Sequence, residues 1–270
     1  MEVLAFKNVT LRVGGKEFLH HVDVELEEGE TLVVTGHPGC GKSLILRTAL
    51  GFPGMGAGEL VEMDGEVYLF GQPLTQMGDY DLQQARMRIG SLMHSGGLID
   101  NMDVRRNITL PLYYHFPKMA GEDIEARCAI LLDDMGLTFL GDQGRRPVSL
   151  NREERIYIGL ARALINQPSL LLMDDPAVGL GAVATARLKH FLFYQPQFTD
   201  RQDLLGGAGR AVTRLITTTN LQTYLDRGDR FAVLEEGRIE MVGDRQAVLC
   251  SEVEMVQEML AVNSMAADIG

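Results

Sequence analysis

The sequence predicts an α/β fold with a phosphate-binding core, on three observations. A short apolar run at 31–36, TLVVTG, leads directly into the glycine-rich GHPGCGKS and then into LILRTAL, a helical stretch that ends at Gly51. A second apolar run, SLLLMDDP at 169–176, ends in two carboxylates. Residues 101–165, between these runs, have a mainly helical pattern. These features indicate buried parallel strands with a helical lobe inserted between them.

Composition and charge exclude several classes of protein. The chain has 270 residues, 46% of them hydrophobic, which is enough for one large domain or two unequal lobes. Its net charge of −12 argues against a nucleic-acid partner, because binding a phosphate backbone needs a basic face. Three dispersed cysteines indicate neither a disulfide framework nor a zinc site. Without an apolar run near the roughly 18 residues of a membrane span, or a secretory signal, we expect a cytoplasmic protein.

The first 30 residues predict an antiparallel β portion beside this core. VLAFKNVTLRV and FLHHVDVEL are rich in strand-forming residues, and a Gly-Gly turn separates them. EEGE then indicates a turn before the buried run at 31–36.

At the other end, the tail from 246 has apolar residues at helical spacing up to Val262. This tail either packs on the protein's own core or docks on a partner subunit.

Residues 36–43 match the phosphate-loop pattern G-x-x-x-x-G-K-S. Glycines let successive backbone N–H groups converge on phosphate oxygens, and the helix start adds partial positive charge. In such a loop Lys42 reaches the β and γ phosphates and the Ser43 hydroxyl binds magnesium. A tight turn without a ligand is the alternative, which the flanking strand and helix disfavour. The predicted nucleotide-binding residues are Gly36, His37, Pro38, Gly39, Cys40, Gly41, Lys42 and Ser43.

The second apolar run supplies the acidic partner of this loop. Its last residues place Asp174 at the carboxyl end of a buried strand, where ligands bind in open α/β sheets. A carboxylate there holds magnesium in nucleotide hydrolases generally. We therefore predict Ser43 and Asp174 as the magnesium ligands.

The ordered series of segments resembles the ATPases of ABC transporters over residues 3–245. Beyond the phosphate loop and the acidic strand, it includes IGSLMHSGGLIDNMDVRRNITLPL, SLNREERIYIGLARAL and DRFAVLEEGRIEMVGD. SGGLID…NITLPL and PAVGL are most similar to the ATPases of Mla/Mce-type lipid transporters. The resemblance implies a discontinuous P-loop, RecA-like core at 1–90 and 166–245, an inserted helical lobe at 91–165 and a tail at 246–270.

The resemblance also implies cofactors and partners. In that family two ATPase subunits meet face to face, and each Mg²⁺-ATP lies between one subunit's phosphate loop and the other's signature motif. Hydrolysis drives membrane permease subunits, which contact the helical lobe and hold the ATPase at the inner membrane. For this chain the resemblance implies a second ATPase subunit, either a copy or a homologue. Mla/Mce-type systems add a periplasmic MCE lipid-binding protein and a small regulatory subunit.

The signature motif departs from the family pattern. Aligned on ARAL, the family's LSGGQ falls on Leu150 to Glu154, here LNREE, so that Asn151, Arg152 and Glu153 stand where nucleotide is bound. Asn151 and Glu154 have the spacing of a capping box, which would satisfy the helix's own free N–H groups. A carboxylate 4 Å from a phosphate charge is unfavourable by roughly 4 kcal/mol at an effective dielectric constant of 20. Arg152 could offset part of this cost by pairing with phosphate.

Three catalytic positions of the family have changed as well. Asp175 replaces the glutamate that polarises water and is shorter by one carbon, about 1.5 Å. His94 corresponds to the magnesium-sensing glutamine, and Thr219 to the switch histidine. Gly181 replaces a loop aspartate, and no aromatic residue stands at the adenine-stacking position near Val13. We therefore predict that ATP binding is retained and that hydrolysis is weak or lost.

Two other functions compete with this one. The chain could be a fully active transport ATPase with atypical catalytic residues, or a small-molecule P-loop kinase or GTPase. The kinase or GTPase alternative does not explain SLNREERIYIGLARAL directly before LLLMDD. Within the transporter hypothesis, the permease and lipid-binding partners, rather than this chain, determine substrate and direction.

Overall fold

A computed structural model of the protein describes residues 1–53, 59–141, 144–193 and 211–261. The strands within these ranges are β1 Glu2–Val13, β2 Lys16–Glu27, β3 Thr31–Thr35, β4 Val61–Leu69, β5 Gln72–Pro73, β6 Ile89–Leu92, β7 Leu170–Asp174, β8 Thr213–Thr218, β9 Arg230–Glu235 and β10 Arg238–Gly243. The α-helices are α1 Lys42–Ala49, α2 Asp79–Met87, α3 Val104–His115, α4 Gly121–Asp134, α5 Thr138–Gly141, α6 Arg152–Leu164, α7 Ala182–Leu192, α8 Arg245–Leu249 and α9 Glu254–Ala261.

The chain divides into two compact units. The first comprises Met1–Leu82 and Thr213–Gly270, and the second comprises Gln83–Val212. The predicted strands at the start of the chain, the two buried runs and the mainly helical stretch at 101–165 are all confirmed as β1, β2, β3, β7 and α3 to α6. The boundaries proposed for the core and the inserted lobe stay predictions.

Two groups of strands build the first unit. An antiparallel sheet has the order β2-β1-β4-β5, which confirms the expected antiparallel portion. In the other group β3 runs parallel to both β8 and β9, and β10 is antiparallel to β9. All five residues of β3 are buried, as a strand with neighbours on both sides requires. Thr35 at the end of β3 pairs with Thr218 at the end of β8, so the loops that follow these strands start side by side.

Helix α1 ends in a cap that the sequence indicated. Gly51 has a left-handed φ of 72°, which costs glycine nothing. Its N–H donates to Thr48 O at 2.9 Å, and the next N–H, of Phe52, donates to Arg47 O at 2.8 Å. These two bonds form a Schellman motif and satisfy carbonyls that the helix leaves unpaired.

The second unit is built around a parallel pair of strands and its helices. β6 and β7 run parallel, with Leu92 opposite Met173. Helix α6 passes very close to the turn after β6: a Cβ on Gly159 would lie 2.6 Å from Gly96 O and 2.8 Å from Gly96 Cα. This contact therefore requires glycine at position 159, and it fixes the turn after β6 against α6.

Of the helices in the described ranges, none is both long enough and apolar enough to cross a bilayer.

The close contact between α6 and the turn after β6 predicts a position-specific effect of adding one methyl group. Gly159→Ala should destabilise the protein by about 1–3 kcal/mol, because the added Cβ overlaps backbone atoms that have no room to move. Gly121→Ala is the matched control, since a Cβ at Gly121 meets nothing within 4 Å. That control should be neutral or stabilising by up to about 1 kcal/mol, because alanine favours a helix. Urea unfolding followed by circular dichroism measures both, and equal stability of the two variants would contradict the packing argument.

Candidate phosphate-binding and signature sites

The predicted phosphate loop joins β3 to α1 and is pressed against neighbouring backbone. A Cβ on Gly36 would lie 2.1 Å from Leu234 O and 2.7 Å from Cys40 Sγ. Gly41 has a left-handed φ of 114°, and a Cβ there would lie 2.9 Å from Leu19 Cδ2. Only glycine fits these two buried positions, so the shape of the loop depends on them.

The start of α1 leaves hydrogen-bond donors available. Gly41 is the N-cap residue and provides no side-chain cap. Within the described part of the chain, the N–H groups of Gly39, Gly41 and Lys42 meet no acceptor, whereas the N–H of Cys40 donates to His37 O at 3.3 Å. Uncapped donors at a helix start, together with the helix dipole, favour an anion. This loop therefore has the geometry to bind the phosphates of a nucleotide.

Lys42 supplies the positive charge of the loop. Its ammonium group donates to Gly36 O at 2.7 Å and to His37 O at 2.8 Å, and the residue is 7% exposed. Carbonyl partners offset the cost of burying this charge. The adjacent Ser43 is exposed at the second position of α1. Lys42 and Ser43 thus occupy the two positions that the motif assigns to phosphate and to magnesium.

The predicted switch position lies beside this loop. Thr219 directly follows β8, whose last residue pairs with the last residue of β3. Thr35 Oγ1 lies 3.2 Å from Thr218 O, and the N–H of Asn220 donates to Thr218 Oγ1 at 3.0 Å. The structure therefore places the backbone of Thr219 next to the start of the phosphate loop. Val13, near the predicted adenine-stacking position, is buried in β1 and 4% exposed.

In the second unit, His94, Asp174 and Asp175 lie at the carboxyl ends of the parallel strands β6 and β7. His94 is exposed and begins a 3₁₀ turn, His94–Gly96, directly after β6. Asp174 ends β7 and is 8% exposed. Asp175 has a left-handed φ of 44°, uncommon for a residue other than glycine, so the chain turns sharply there. The strand ends thus bring together three of the predicted site residues, as the sequence order suggested.

An arginine that the sequence analysis missed holds the turn after β6. Ser95, Gly96 and Gly97 all have left-handed φ values, of 60°, 85° and 56°. Arg162 of α6 donates to Gly96 O at 3.0 Å and to Gly97 O at 2.9 Å. Burial lowers the pKa of this guanidinium, which remains charged near neutral pH. Arg162 therefore attaches the segment that carries His94 to the helix that follows the signature motif.

The signature position is the start of α6, and the predicted capping box is confirmed there. The N–H of Glu154 donates to Asn151 Oδ1 at 2.9 Å, and the N–H of Asn151 donates to Glu154 Oε2 at 2.9 Å. Arg145 lies 3.4 Å from Glu154 Oε2 and donates to Ser149 O at 3.0 Å. The capping box thus satisfies the N–H groups of Asn151 and Glu154, and Arg145 pairs with one carboxylate, while Glu153 adds a second carboxylate there.

Arg152 points back onto its own chain. Its Nε donates to Val178 O at 3.0 Å, in the loop PAVGL that follows β7. A Cβ on Gly179 would lie 3.0 Å from the Arg152 guanidinium carbon, so the side chain lies flat against this loop. The side chain predicted to meet phosphate is therefore used to join the signature position to the loop that ends at Gly181.

Comparison with known proteins identifies the family. The family model described as ABC transporter matches residues 19–178. The chain belongs to the ABC transporter family. This membership disfavours the small-molecule kinase or GTPase alternative.

Curated relatives of this ABC protein are import ATP-binding proteins. Spermidine/putrescine import ATP-binding protein PotA of Chromobacterium violaceum is 30% identical over 90% of this chain and 60% of its own length. Methionine import ATP-binding protein MetN of Burkholderia thailandensis is 30% identical over 90% of this chain and 65% of its own length. Sulfate/thiosulfate import ATP-binding protein CysA of Caulobacter vibrioides is 32% identical over 89% of this chain and 64% of its own length. The chain thus spans less than two thirds of the length of these relatives.

Solved structures share the fold of this ABC protein. The ATP-binding cassette MJ0796, in a dimeric post-hydrolysis state bound to ADP and Pi, superposes with a TM-score of 0.72 at 23% identity. The match covers 90% of this chain and 99% of that one. The mixed α/β fold predicted from the sequence is therefore confirmed as that of an ABC cassette.

The tail of this ABC protein packs on its own first unit. Met255 and Val256 of α9 are 3% and 0% exposed, and the side-chain amide of Gln222 donates to Leu260 O at 2.7 Å. This confirms the self-packing alternative as far as Ala261. Val262 and the rest of the tail lie outside the described residues. Helical spacing predicted that α9 has an apolar face, but no local signal indicated where that face binds.

The capping box predicts a stability effect at the signature position. Asn151→Ala should cost about 1 kcal/mol, because it removes the side-chain acceptor for the Glu154 N–H and leaves only the bond from the N–H of residue 151 to the Glu154 carboxylate. Asn151→Asp keeps the acceptor and should stay close to the native stability. Urea unfolding of the three proteins measures this, and an equal loss in both variants would show that the cap oxygen is not what stabilises the helix start.

Proposed function

We propose that this chain is the nucleotide-binding subunit of an ABC transporter, which binds Mg²⁺-ATP and hydrolyses it weakly or not at all. The observation that carries the proposal is a contrast between two helix starts. Helix α1 begins without a side-chain cap, whereas α6 begins with a complete capping box. The first helix start can accept an anion, whereas at the second the N–H groups of Asn151 and Glu154 are already bonded within the cap.

The phosphate side keeps the residues that hold a nucleotide. Gly39, Gly41 and Lys42 offer backbone donors, and the Lys42 ammonium group lies inside the loop. Ser43 and Asp174 remain the proposed magnesium ligands, in keeping with a cation that takes one or two protein oxygens and completes its shell with phosphate and water. When bound, magnesium would neutralise phosphate charge; these residues would position it.

The start of α6, at the signature position, would disfavour the approach of a nucleotide bound to a second subunit. In a face-to-face pair, the partner's phosphates would meet a helix start whose first turn carries Glu153 and Glu154. A carboxylate and a phosphate charge 4 Å apart repel by roughly 4 kcal/mol at an effective dielectric constant of 20. Arg145 pairs Glu154, and Arg152 is bonded to Val178 O. Both arginines stabilise the helix start itself, so the helix start offers little to an incoming phosphate.

The residues at the catalytic positions also favour weak or absent hydrolysis. A general base must reach its proton over a heavy-atom distance of about 2.6–3.2 Å, and Asp175 is one carbon shorter than the family's glutamate. His94 and Thr219 replace the glutamine and histidine that complete the family's site. The alternative, a fully active ATPase with atypical residues, requires that Asp175 polarise water from its left-handed backbone position.

For the cargo we propose lipid or another hydrophobic molecule, in an Mla/Mce-like system. The support is the likeness of SGGLID…NITLPL and PAVGL to such ATPases, whereas the curated relatives import spermidine or putrescine, methionine and sulfate or thiosulfate. The proposed partners are membrane permease subunits, a second ATPase subunit, a periplasmic MCE protein and a small regulatory subunit. The chain would then lie on the cytoplasmic face of the inner membrane, held there by its permease.

Nucleotide binding should depend on Lys42. Isothermal titration calorimetry should detect Mg²⁺-ATP binding to the wild type, and Lys42→Ala should weaken it at least about tenfold, because a charge-assisted bond to phosphate is lost. Lys118→Ala removes an exposed lysine outside the loop and should leave the affinity unchanged. No measurable affinity in the wild type would refute the proposed function.

Hydrolysis should stay low while either Asp175 or the LNREE signature sequence is unrepaired. The self-paired wild type should turn over far more slowly than about 1 s⁻¹, the low end of typical enzyme rates. Asp175→Glu alone should remain slow, because the capped signature helix still opposes closure. Asp175→Glu combined with Asn151→Ser, Arg152→Gly and Glu153→Gly should raise the rate of phosphate release. Wild-type turnover at ordinary transporter rates would instead support the fully active alternative.

A further inference from the structure

Helix α9 joins the phosphate loop to the segment that carries the switch position. Met259 Sδ lies 3.3 Å from Thr35 Oγ1, and Thr35 is the last residue before the loop. The side-chain amide of Gln222 donates to Leu260 O at 2.7 Å, and Gln222 lies in the turn after β8. Met255 and Val256 anchor the helix in the core. One helix therefore contacts both the β3 end and the segment after β8.

The same helix places a negative charge beside the loop. Glu258 Oε2 lies 3.8 Å from Nε2 of His37, the second residue of the loop, and the two side chains are 60% and 56% exposed. An ion pair this exposed contributes little to stability. His37 belongs to the loop, so the Glu258 carboxylate lies at the edge of the loop, and its charge acts on an anion bound within about 8 Å, the Debye length at physiological salt.

We propose that α9 is a latch that opposes nucleotide binding, and that Glu258 is the residue that sets its strength. The proposal rests on the proposed binding of a nucleoside triphosphate in the loop. A triphosphate brings several negative charges close to Glu258, so nucleotide binding and docking of α9 disfavour each other. Because the coupling is reciprocal, the factor by which docked α9 weakens nucleotide binding equals the factor by which nucleotide loosens α9.

Charge and packing are separable in this helix. The buried anchors Met255 and Val256 hold α9 in place, whereas the Glu258 side chain is mostly exposed. Replacing Glu258 by glutamine therefore removes the charge with little change in packing. Glu252→Gln is the matched control: it changes the net charge by the same amount at an exposed position just before α9.

The first test is Mg²⁺-ATP affinity by isothermal titration calorimetry at low and high salt. Glu258→Gln should bind about fivefold more tightly at low salt, near the lower end of typical coupling factors, and the difference should shrink at high salt. Glu258→Asp, which keeps the charge, and Glu252→Gln should both behave like the wild type. An affinity of Glu258→Gln that is equal to or weaker than that of the wild type would overturn the latch.

The second test is amide hydrogen exchange in α9. Saturating Mg²⁺-ATP should speed exchange at residues 255–261 in the wild type, and less so in Glu258→Gln. If the wild type binds Mg²⁺-ATP but its α9 exchange is unchanged, the latch is wrong and the proposed function stands. If neither protein binds Mg²⁺-ATP, the proposed function fails and the latch fails with it.

Discussion

The two candidate sites of this protein depend on how the backbone N–H groups at the start of a helix are satisfied. A helix leaves its first N–H groups without partners, and these must be satisfied by a side chain, by water or by a ligand. At α1 the chain provides glycine at the N-cap and no side-chain oxygen, so an anion can occupy the loop. At α6 it provides Asn151 and Glu154, which satisfy each other's backbone donors. The same element thus starts without a side-chain cap in one place and with a complete capping box in the other.

Charged side chains around these helix starts are mostly used within the chain. Arg145 and Arg152 at the start of α6 each donate to a backbone carbonyl of their own unit, and Arg145 also pairs with Glu154. Lys42 is bonded to carbonyls as well, but these belong to the loop that would receive phosphate. The loop around Lys42 is therefore the place where a buried positive charge stands beside helix donors that lack a side-chain cap.

Family membership and local chemistry answer different questions about this protein. The family match and the shared fold establish an ABC cassette. They do not assign turnover, because turnover depends on a few side chains such as Asp175 and Glu153 rather than on the fold.

The sequence by itself determined the features that depend on near neighbours in the chain. The phosphate loop, the buried strands on either side of the helical stretch and the capping box of α6 all follow from spacings of a few residues, and the structure has each of them. The contacts that only the tertiary structure decided join distant residues. Thr35 contacts Met259, which is 224 residues away in the sequence, and Arg152 donates to Val178 O, 26 residues away. No local pattern encodes such pairs, because a long side chain can reach many acceptors and only the packed backbone decides which of them is near.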